Sequence, residues 1–391
     1  MKYDFDQVLD RTHNDSSKYD ERLKKFGTMD VIPLWVADMD FKAAQPILDA
    51  MEDKVRQGVF GYVSRREEYF DSLIRWQKRR NGWDIPDKSL LSFAVGVVPS
   101  LAALVRQFAQ PGEKVLIQPP VYPEFYEVVE NSKCEVLSNR LVERGGEFFL
   151  DLADFEAKLK QGPKCFIFCN PQNPTGHVWT REELSAMGEL CVKYRVPVVS
   201  DEIHADLMLW GHKHIPMAAL SPEIAANTIT CTAVSKTFNL AGLQASTVIF
   251  NDQAEREKFE SFWHSLEIHR NNPFSLVASI AAYNEGEEWL EQLIPYIEGN
   301  MTYVRDFLAK EVPQITCRLP EATYLMWLDC RGLGLDDAAL ERFFVEKAGI
   351  GLNAGNAFDR DLSGFMRLNT ACPRAVLERA MGQLQAAVDG M

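Results

Sequence analysis

Lys164-Cys165-Phe166-Ile167-Phe168-Cys169-Asn170-Pro171-Gln172-Asn173-Pro174-Thr175-Gly176 passes from an unbroken apolar run to a turn with two Asn-Pro steps and a glycine. An apolar run of this length, bounded by turn residues, predicts a strand over 164–170 buried on both faces. The chain then reads Thr180-Arg181-Glu182-Glu183, a capping-box pattern that opens a helix over 181–194. A second apolar run follows at 196–200. Strand, helix and strand within 40 residues is the signature of a parallel sheet with crossover helices.

The pattern extends outward. Further strands are predicted at 114–118, 134–137, 228–233 and 245–250. An amphipathic helix follows Pro99, with Leu101, Leu104, Val105 and Phe108 on one face. After residue 286 the character changes. Long helical patterns at 289–308, 336–347 and 374–388 surround strand-like 323–329 and 365–369, which reads as a smaller α+β domain. The first 45 residues are irregular and are expected to pack against that domain. The fold class is therefore α/β, with a mostly parallel sheet and a second, smaller domain.

The 391 residues are 46% hydrophobic and 25% charged, with a formal charge of −14. This composition excludes disordered, collagen-like and coiled-coil classes. An acidic chain gains nothing from counterion release, so nucleic acid is not an expected partner. Met1-Lys2-Tyr3-Asp4-Phe5-Asp6 carries no apolar leader, and no run reaches the ~18 apolar residues of a membrane span. The eight cysteines form no Cys-x-x-Cys pair and read as free thiols. A soluble cytoplasmic protein is expected.

Four segments carry chemistry. In Ser235-Lys236-Thr237-Phe238-Asn239-Leu240-Ala241-Gly242, Lys236 follows a buried strand. A desolvated amine there would have a lowered pKa and attack aldehydes, although a loop lysine in water fits the same residues. Ser200-Asp201-Glu202-Ile203-His204 puts a carboxylate at a strand's carboxyl end, where open α/β sheets bind ligands; a helix N-cap is the alternative. The Asn170–Gly176 turn stands at another strand end, and one of its Asn-Pro bonds is a candidate for the cis form. Gly96-Val97-Val98-Pro99-Ser100 opens a helix whose free N–H groups suit phosphate.

In this order, Asn-Pro-x-Asn-Pro-Thr-Gly, Asp-Glu-Ile-His and Ser-Lys-Thr-Phe-Asn-Leu-Ala-Gly resemble the fold-type I pyridoxal-phosphate enzymes, aminotransferase class I/II. Within that class the chain resembles the MalY/PatB subgroup of cystathionine β-lyases, or cysteine-S-conjugate β-lyases. Residues 32–41, Pro120-Val121-Tyr122-Pro123 and Glu285–Leu290 add to the likeness, which runs from about residue 30 to 375. It implies a pyridoxal-5'-phosphate-dependent transferase-like fold. A large cofactor domain with a seven-stranded sheet spans 49–285, a small domain 286–391, and an N-terminal segment 1–48 packs with the small domain.

The resemblance also implies roles. Lys236 would hold the cofactor and move the substrate Cα proton. Asp201 would pair with the ring nitrogen, Asn173 with the ring oxygen, and Tyr122 would stack on the ring. The backbone of Gly96, Val97 and Val98, with Ser235, would hold the phosphate. Tyr62 would reach the neighbouring subunit's phosphate, which implies a homodimer with shared sites. Arg367 would grip the substrate carboxylate, beside the backbone of Trp35 and Ala37. His204 stands where many relatives carry tyrosine, and Gln244 where many carry a phosphate-binding arginine. Both departures resemble the lyase subgroup.

The expected activity is C–S β-elimination from an amino acid. A class I/II aminotransferase is the alternative, and a regulatory interaction protein of the MalY type a further one. His212-Lys213-His214 has no third metal ligand nearby and reads as a polar loop, so no metal is expected. Asp38 and Asp40 form an acid/base candidate pair with nothing else to support it. Lys78-Arg79-Arg80 reads as the basic end of a helix.

Overall fold

A computed structural model describes residues 2–391; Met1, the first residue of the expected N-terminal segment, lies outside the described residues. Its centre is a seven-stranded sheet. In spatial order the strands are Leu91–Ala94, Ser246–Ile249, Thr228–Thr232, Val198–Asp201, Phe166–Cys169, Lys114–Ile117 and Glu135–Ser138. Ser246–Ile249 runs antiparallel to both neighbours, and the other pairs are parallel. The register aligns Cys169 with Asp201 and Asp201 with Cys231, so the carboxyl ends of successive strands finish together.

The helices cover the faces as their apolar spacing requires. Val97–Phe108 buries Val97, Leu101, Leu104 and Val105. It begins two residues before Pro99, because a proline in the first turn lacks only an N–H that the helix would leave unpaired. Arg181–Tyr194 opens with the expected capping box, Thr180 and Glu183 bonding each other's backbone N–H.

Beyond the large sheet, the 25-residue helix Glu287–Glu311 leads to a four-stranded antiparallel sheet of Thr316–Cys317, Leu325–Asp329, Phe365–Asn369 and Asn353–Ala354. Apolar packing is continuous across residue 286. Phe238, which follows the site lysine by two residues, meets Trp76 at 5.7 Å and Trp289 at 6.0 Å between ring centroids.

Three elements depart from the sequence expectation. Leu91–Ala94 is a strand that four residues of mixed polarity do not announce. Val142–Arg144 and Glu147–Phe149 form a hairpin around Gly145 and Gly146, both at positive φ. The helix expected over 336–347 is α-helical over Asp337–Arg342 and turns π-helical over Phe343–Lys347. Both Asn-Pro bonds of the 170–176 turn are cis, as is Pro119-Pro120.

The N-terminal segment is irregular apart from short helices at Ser17–Asp20 and Arg22–Phe26, and it adds Ile32–Pro33 in parallel to Ile350–Gly351. Ions fix it. Lys18 is fully buried, with Nζ 2.8 Å from Asp40 and 3.5 Å from Asp38. Arg11 meets Asp38 at 2.7 Å and Asp40 at 2.6 Å. Asp38 and Asp40 are thus structural counter-ions. Side-chain amides bind the same stretch: Asn369 donates to the carbonyls of Val36 and Asp38, and Asn239 to those of Met39 and Phe41.

All eight cysteines are free. Among the described residues no helix is long and apolar enough to cross a membrane, and no group of three or more His, Cys, Asp or Glu is placed to hold a metal.

Gly176 joins the Asn-Pro turn to the small sheet. Its φ is +70°, and its carbonyl accepts from the N–H groups of Glu321 and Ala322, both at 3.0 Å. A Cβ there would fall 2.2 Å from Pro320 Cβ. Gly176→Ala should therefore cost roughly 2 kcal/mol or more, from the left-handed backbone plus the clash. A urea unfolding midpoint unchanged from the parent would refute this.

Candidate active site

One cavity of about 180 Å³ lies against the carboxyl ends of the large sheet. Six of the sheet's seven strands each deliver part of its wall. After Leu91–Ala94 come Gly96, Val97 and Val98; after Lys114–Ile117, Tyr122; after Phe166–Cys169, Asn173. Val198–Asp201 ends on Asp201, with His204 just beyond, and Thr228–Thr232 leads into Ser235 and Lys236. Gln244 precedes Ser246–Ile249, the one reversed strand, and so reaches the same edge from the other direction. Ala37 closes the cavity from the N-terminal segment.

Lys236 brings an amine into the cavity. It sits in the one-turn helix Val234–Thr237, and its Nζ donates to Ala37 O at 2.7 Å. Burial, and then the Arg367 guanidinium, lower its pKa to about 8, against the pull of Asp38, Glu124 and Asp201. About a tenth of the amine is therefore neutral near pH 7. Asp201 is buried, and its carboxyl accepts the Ile203 N–H at 3.1 Å. Burial raises its pKa to about 7, with that hydrogen bond and Lys236 opposing. A cationic ring nitrogen beside it would ionise it.

His204 is also buried, and its Nδ1 has no hydrogen-bond partner. Burial, with Lys236 and Arg367 nearby, holds its pKa well below the usual imidazole value, so the ring is neutral. It stands edge-on to Tyr324 at 6.2 Å. Burial and the adjacent Glu124 push the Tyr122 phenol upward, so it keeps its proton.

Gly96 permits the turn into the helix Val97–Phe108. Its φ of +153° suits glycine, and a Cβ would come within 3.3 Å of Pro99 Cδ. The first intrahelical bond runs from Ser100 N–H to Gly96 O at 3.1 Å, so the amides of Val97 and Val98 have no acceptor within the helix.

Arg367 stands one layer behind the cavity wall. It lies on Phe365–Asn369, 3% exposed, facing Trp327 across the strand pair. Its guanidinium donates to Trp35 O at 2.8 Å, Asn353 Oδ1 at 2.9 Å and Asn173 Oδ1 at 3.3 Å, and its Nε has no partner. Burial lowers its pKa to about 10, which leaves it charged. No carboxylate neutralises it within hydrogen-bonding reach, so it suits an incoming carboxylate. Trp35 contributes its carbonyl to this arrangement, while its indole turns away to Lys18 O.

Tyr62 is not brought to this cavity. It is 93% exposed and lines a separate groove. His214 is buried against Glu202, with Nε2 to Oε2 at 2.8 Å, and takes no part. Sequence reasoning overlooked Tyr324, whose hydroxyl shares Ala37 O with Lys236 at 2.8 Å, and the clamps Asn239 and Asn369. Asn239 lies within the lysine motif, three residues on, and was the legible one. Tyr324 and Asn369 carry no local signal.

The chain matches the family model for aminotransferase class I and II over residues 29–384. It is 42% identical over 385 residues to cystathionine beta-lyase PatB of Bacillus subtilis (strain 168), covering 98% of this chain and 99% of that protein. It is 33% identical over 391 residues to protein MalY of Escherichia coli (strain K12), covering 99% of each. The solved structure of the PLP-bound C-S lyase from Staphylococcus hominis is similar with a TM-score of 0.92 and 31% identity, over 99% of this chain and 98% of that one. With a site of this composition at the ends of a seven-stranded sheet, the chain belongs to the class I and II aminotransferase family, in its MalY/PatB-type group of pyridoxal-phosphate-dependent C–S lyases.

Proposed function

We propose that this protein is a C–S β-lyase that splits cystathionine or a cysteine S-conjugate, with one water, into a thiol, pyruvate and ammonia. The observation that carries the reading is the buried Lys236 amine, lowered to about 8 and sharing one cavity with Asp201 and the Gly96 cradle. The relative PatB, named a cystathionine beta-lyase, aligns over nearly the whole chain and supports the same activity.

The residues present fit pyridoxal phosphate. Lys236 offers an amine to its aldehyde, Asp201 a carboxyl to its ring nitrogen, and Val97, Val98 and Ser235 donors to its phosphate. Asn173 and His204 border the ring's space, and Tyr122 offers an aromatic face. Bound there, the cofactor supplies an electrophilic carbonyl for a substrate amine and a conjugated ring that accepts the electron pair freed at Cα.

The chain's own groups do the rest. Arg367 fixes the substrate carboxylate, which sets the orientation of the Cα–H bond. Lys236, as a neutral amine, would take the Cα proton. Asp201 holds the proton on the ring nitrogen, which keeps the ring electron-withdrawing. Ala37 O orients the lysine amine, and Tyr324 fixes that carbonyl from behind. The assembly we read is a homodimer with shared sites, in which the exposed Tyr62 faces the partner subunit's cavity.

Pyruvate and thiol should appear in equal amounts from cystathionine without any added 2-oxo acid. Turnover that requires a 2-oxo acid, and converts it to an amino acid, would replace this reading with an aminotransferase. Borohydride treatment of the loaded protein should fix the cofactor on Lys236, as seen in the peptide mass.

Arg367→Met should lower kcat/KM on the order of 10- to 100-fold, mainly through KM, as expected for one lost charge-assisted pair. Arg367→Lys should recover little of it, because an ammonium lacks the planar fork. Full recovery by lysine would show that charge alone suffices.

The depressed Lys236 pKa has a definite sign. The neutral amine predominates above about pH 8 and is lost as pH falls. Cofactor-free protein should thus capture pyridoxal phosphate at a rate that climbs to about pH 8 and then levels. A rate still climbing at pH 10 would mean an unshifted lysine.

A further inference from the structure

The phosphate end of the cavity contains no cation. Its walls there are Gly96, Val97, Val98, Ser235 and Gln244. The two cations of the site are engaged elsewhere, Lys236 with Ala37 O and Arg367 with Trp35 O, Asn173 and Asn353. A phosphate monoester carries about −1.5 to −2 charges at pH 7. A helix N-terminus offers about half a positive charge in return. In a chain of net charge −14, that imbalance calls for a guanidinium or ammonium from outside this cavity.

One exposed arginine is placed to answer it. Arg270 makes no hydrogen bond or ion pair among the described residues, and its guanidinium lies 5.0 Å from the Tyr62 ring centroid. Neither residue borders the cavity of its own chain. The stretch around them is anchored. Arg65 donates to Asn271 at 2.9 Å, and Asn272 caps helix Pro273–Glu285 by accepting the Ser275 N–H at 2.8 Å. The surface beside Tyr62 exposes apolar Val59 (72%) and Phe60 (55%), with Phe60 packed on Phe274 at 5.7 Å, and the groove that Tyr62 lines also carries Asp53, Lys54, Arg66 and Glu285. An unpaired cation on an aromatic shelf, beside exposed apolar side chains, matches, in a second copy, an open cavity that binds a dianion and lacks a counter-ion.

We infer that Arg270 supplies, in trans, the cation for the cofactor phosphate in the neighbouring subunit's cavity, with Tyr62 as the shelf that orients it. The inference rests on the homodimer reading above and assigns that interface a charge it must deliver.

The test compares cofactor affinity in Arg270→Met and parent protein, by titrating the cofactor-free forms and following the cofactor's absorbance. Pyridoxal phosphate should bind on the order of 10- to 100-fold more weakly to the variant, as for one lost charge-assisted contact. Pyridoxal, which lacks the phosphate, should bind both equally. Sedimentation should show both as dimers, and Arg270→Lys should recover part of the affinity. Equal phosphate-form affinity in variant and parent would overturn the inference, as would an equal loss for pyridoxal, or the same loss from Arg66→Met, in the groove that Tyr62 lines.

Mixed dimers of one Arg270→Met chain and one Lys236→Ala chain separate trans from cis. The site that keeps Lys236 then faces an intact Arg270 on its partner and should hold cofactor as the parent does. Binding as weak as in the Arg270→Met homodimer would place the arginine in cis and end the proposal. Failure of the parent itself to bind pyridoxal phosphate would instead overturn the functional reading.

Discussion

The hydrogen bond from Lys236 Nζ to Ala37 O, 2.7 Å long, joins residues 199 positions apart, and the site depends on it. An amine taken out of water near a guanidinium loses much of its affinity for a proton, and a carbonyl acceptor directs it without supplying a neutralising charge. The result is a lysine that holds its proton less tightly than an exposed one. Had Ala37 O been replaced by a carboxylate at the same distance, the amine would remain a charged partner in an ion pair.

That carbonyl is fixed by an unusual amount of polar structure. Lys18 and Arg11 neutralise Asp38 and Asp40, and Lys18 is fully buried. Buried pairs of this kind add little net stability, but loss of one partner leaves a stranded charge. Their effect here is positional. They hold residues 38–40 while Asn239 and Asn369 grip the flanking carbonyls from two different parts of the chain. The Trp35 and Ala37 carbonyls then face the site, one accepting from Arg367 and the other from Lys236 and Tyr324.

The same logic explains why Lys236, Asp201 and the Gly96 turn sit together. Parallel strands in register end at one edge, and each must turn into a loop there. Gly96, Tyr122, Asn173, Asp201 and Lys236 each follow a different strand, and no two of them are close in sequence. Their convergence is a property of the sheet, and the charges they share differ from what each would carry alone. Asp201 rises and Lys236 falls because both are buried in one volume.

Much of this was legible in advance. Apolar runs located six of the seven large-sheet strands, and the Asn-Pro, Asp-Glu and Ser-Lys steps after three of them marked residues at their tips, because side-chain polarity and turn chemistry are local. The Leu91–Ala94 strand and the hairpin around Gly145 escaped notice, because their residues are of mixed polarity and form no apolar run. Residue order and type determined the α/β architecture, the buried lysine and the acid that faces the same cavity. The tertiary structure alone decided that Asp38 and Asp40 are counter-ions, that Arg367 stands behind Asn173, and that Tyr62 and Arg270 lie outside their own chain's cavity. Those outcomes rest on contacts between residues tens to hundreds of positions apart, and such contacts leave no periodicity in a sequence.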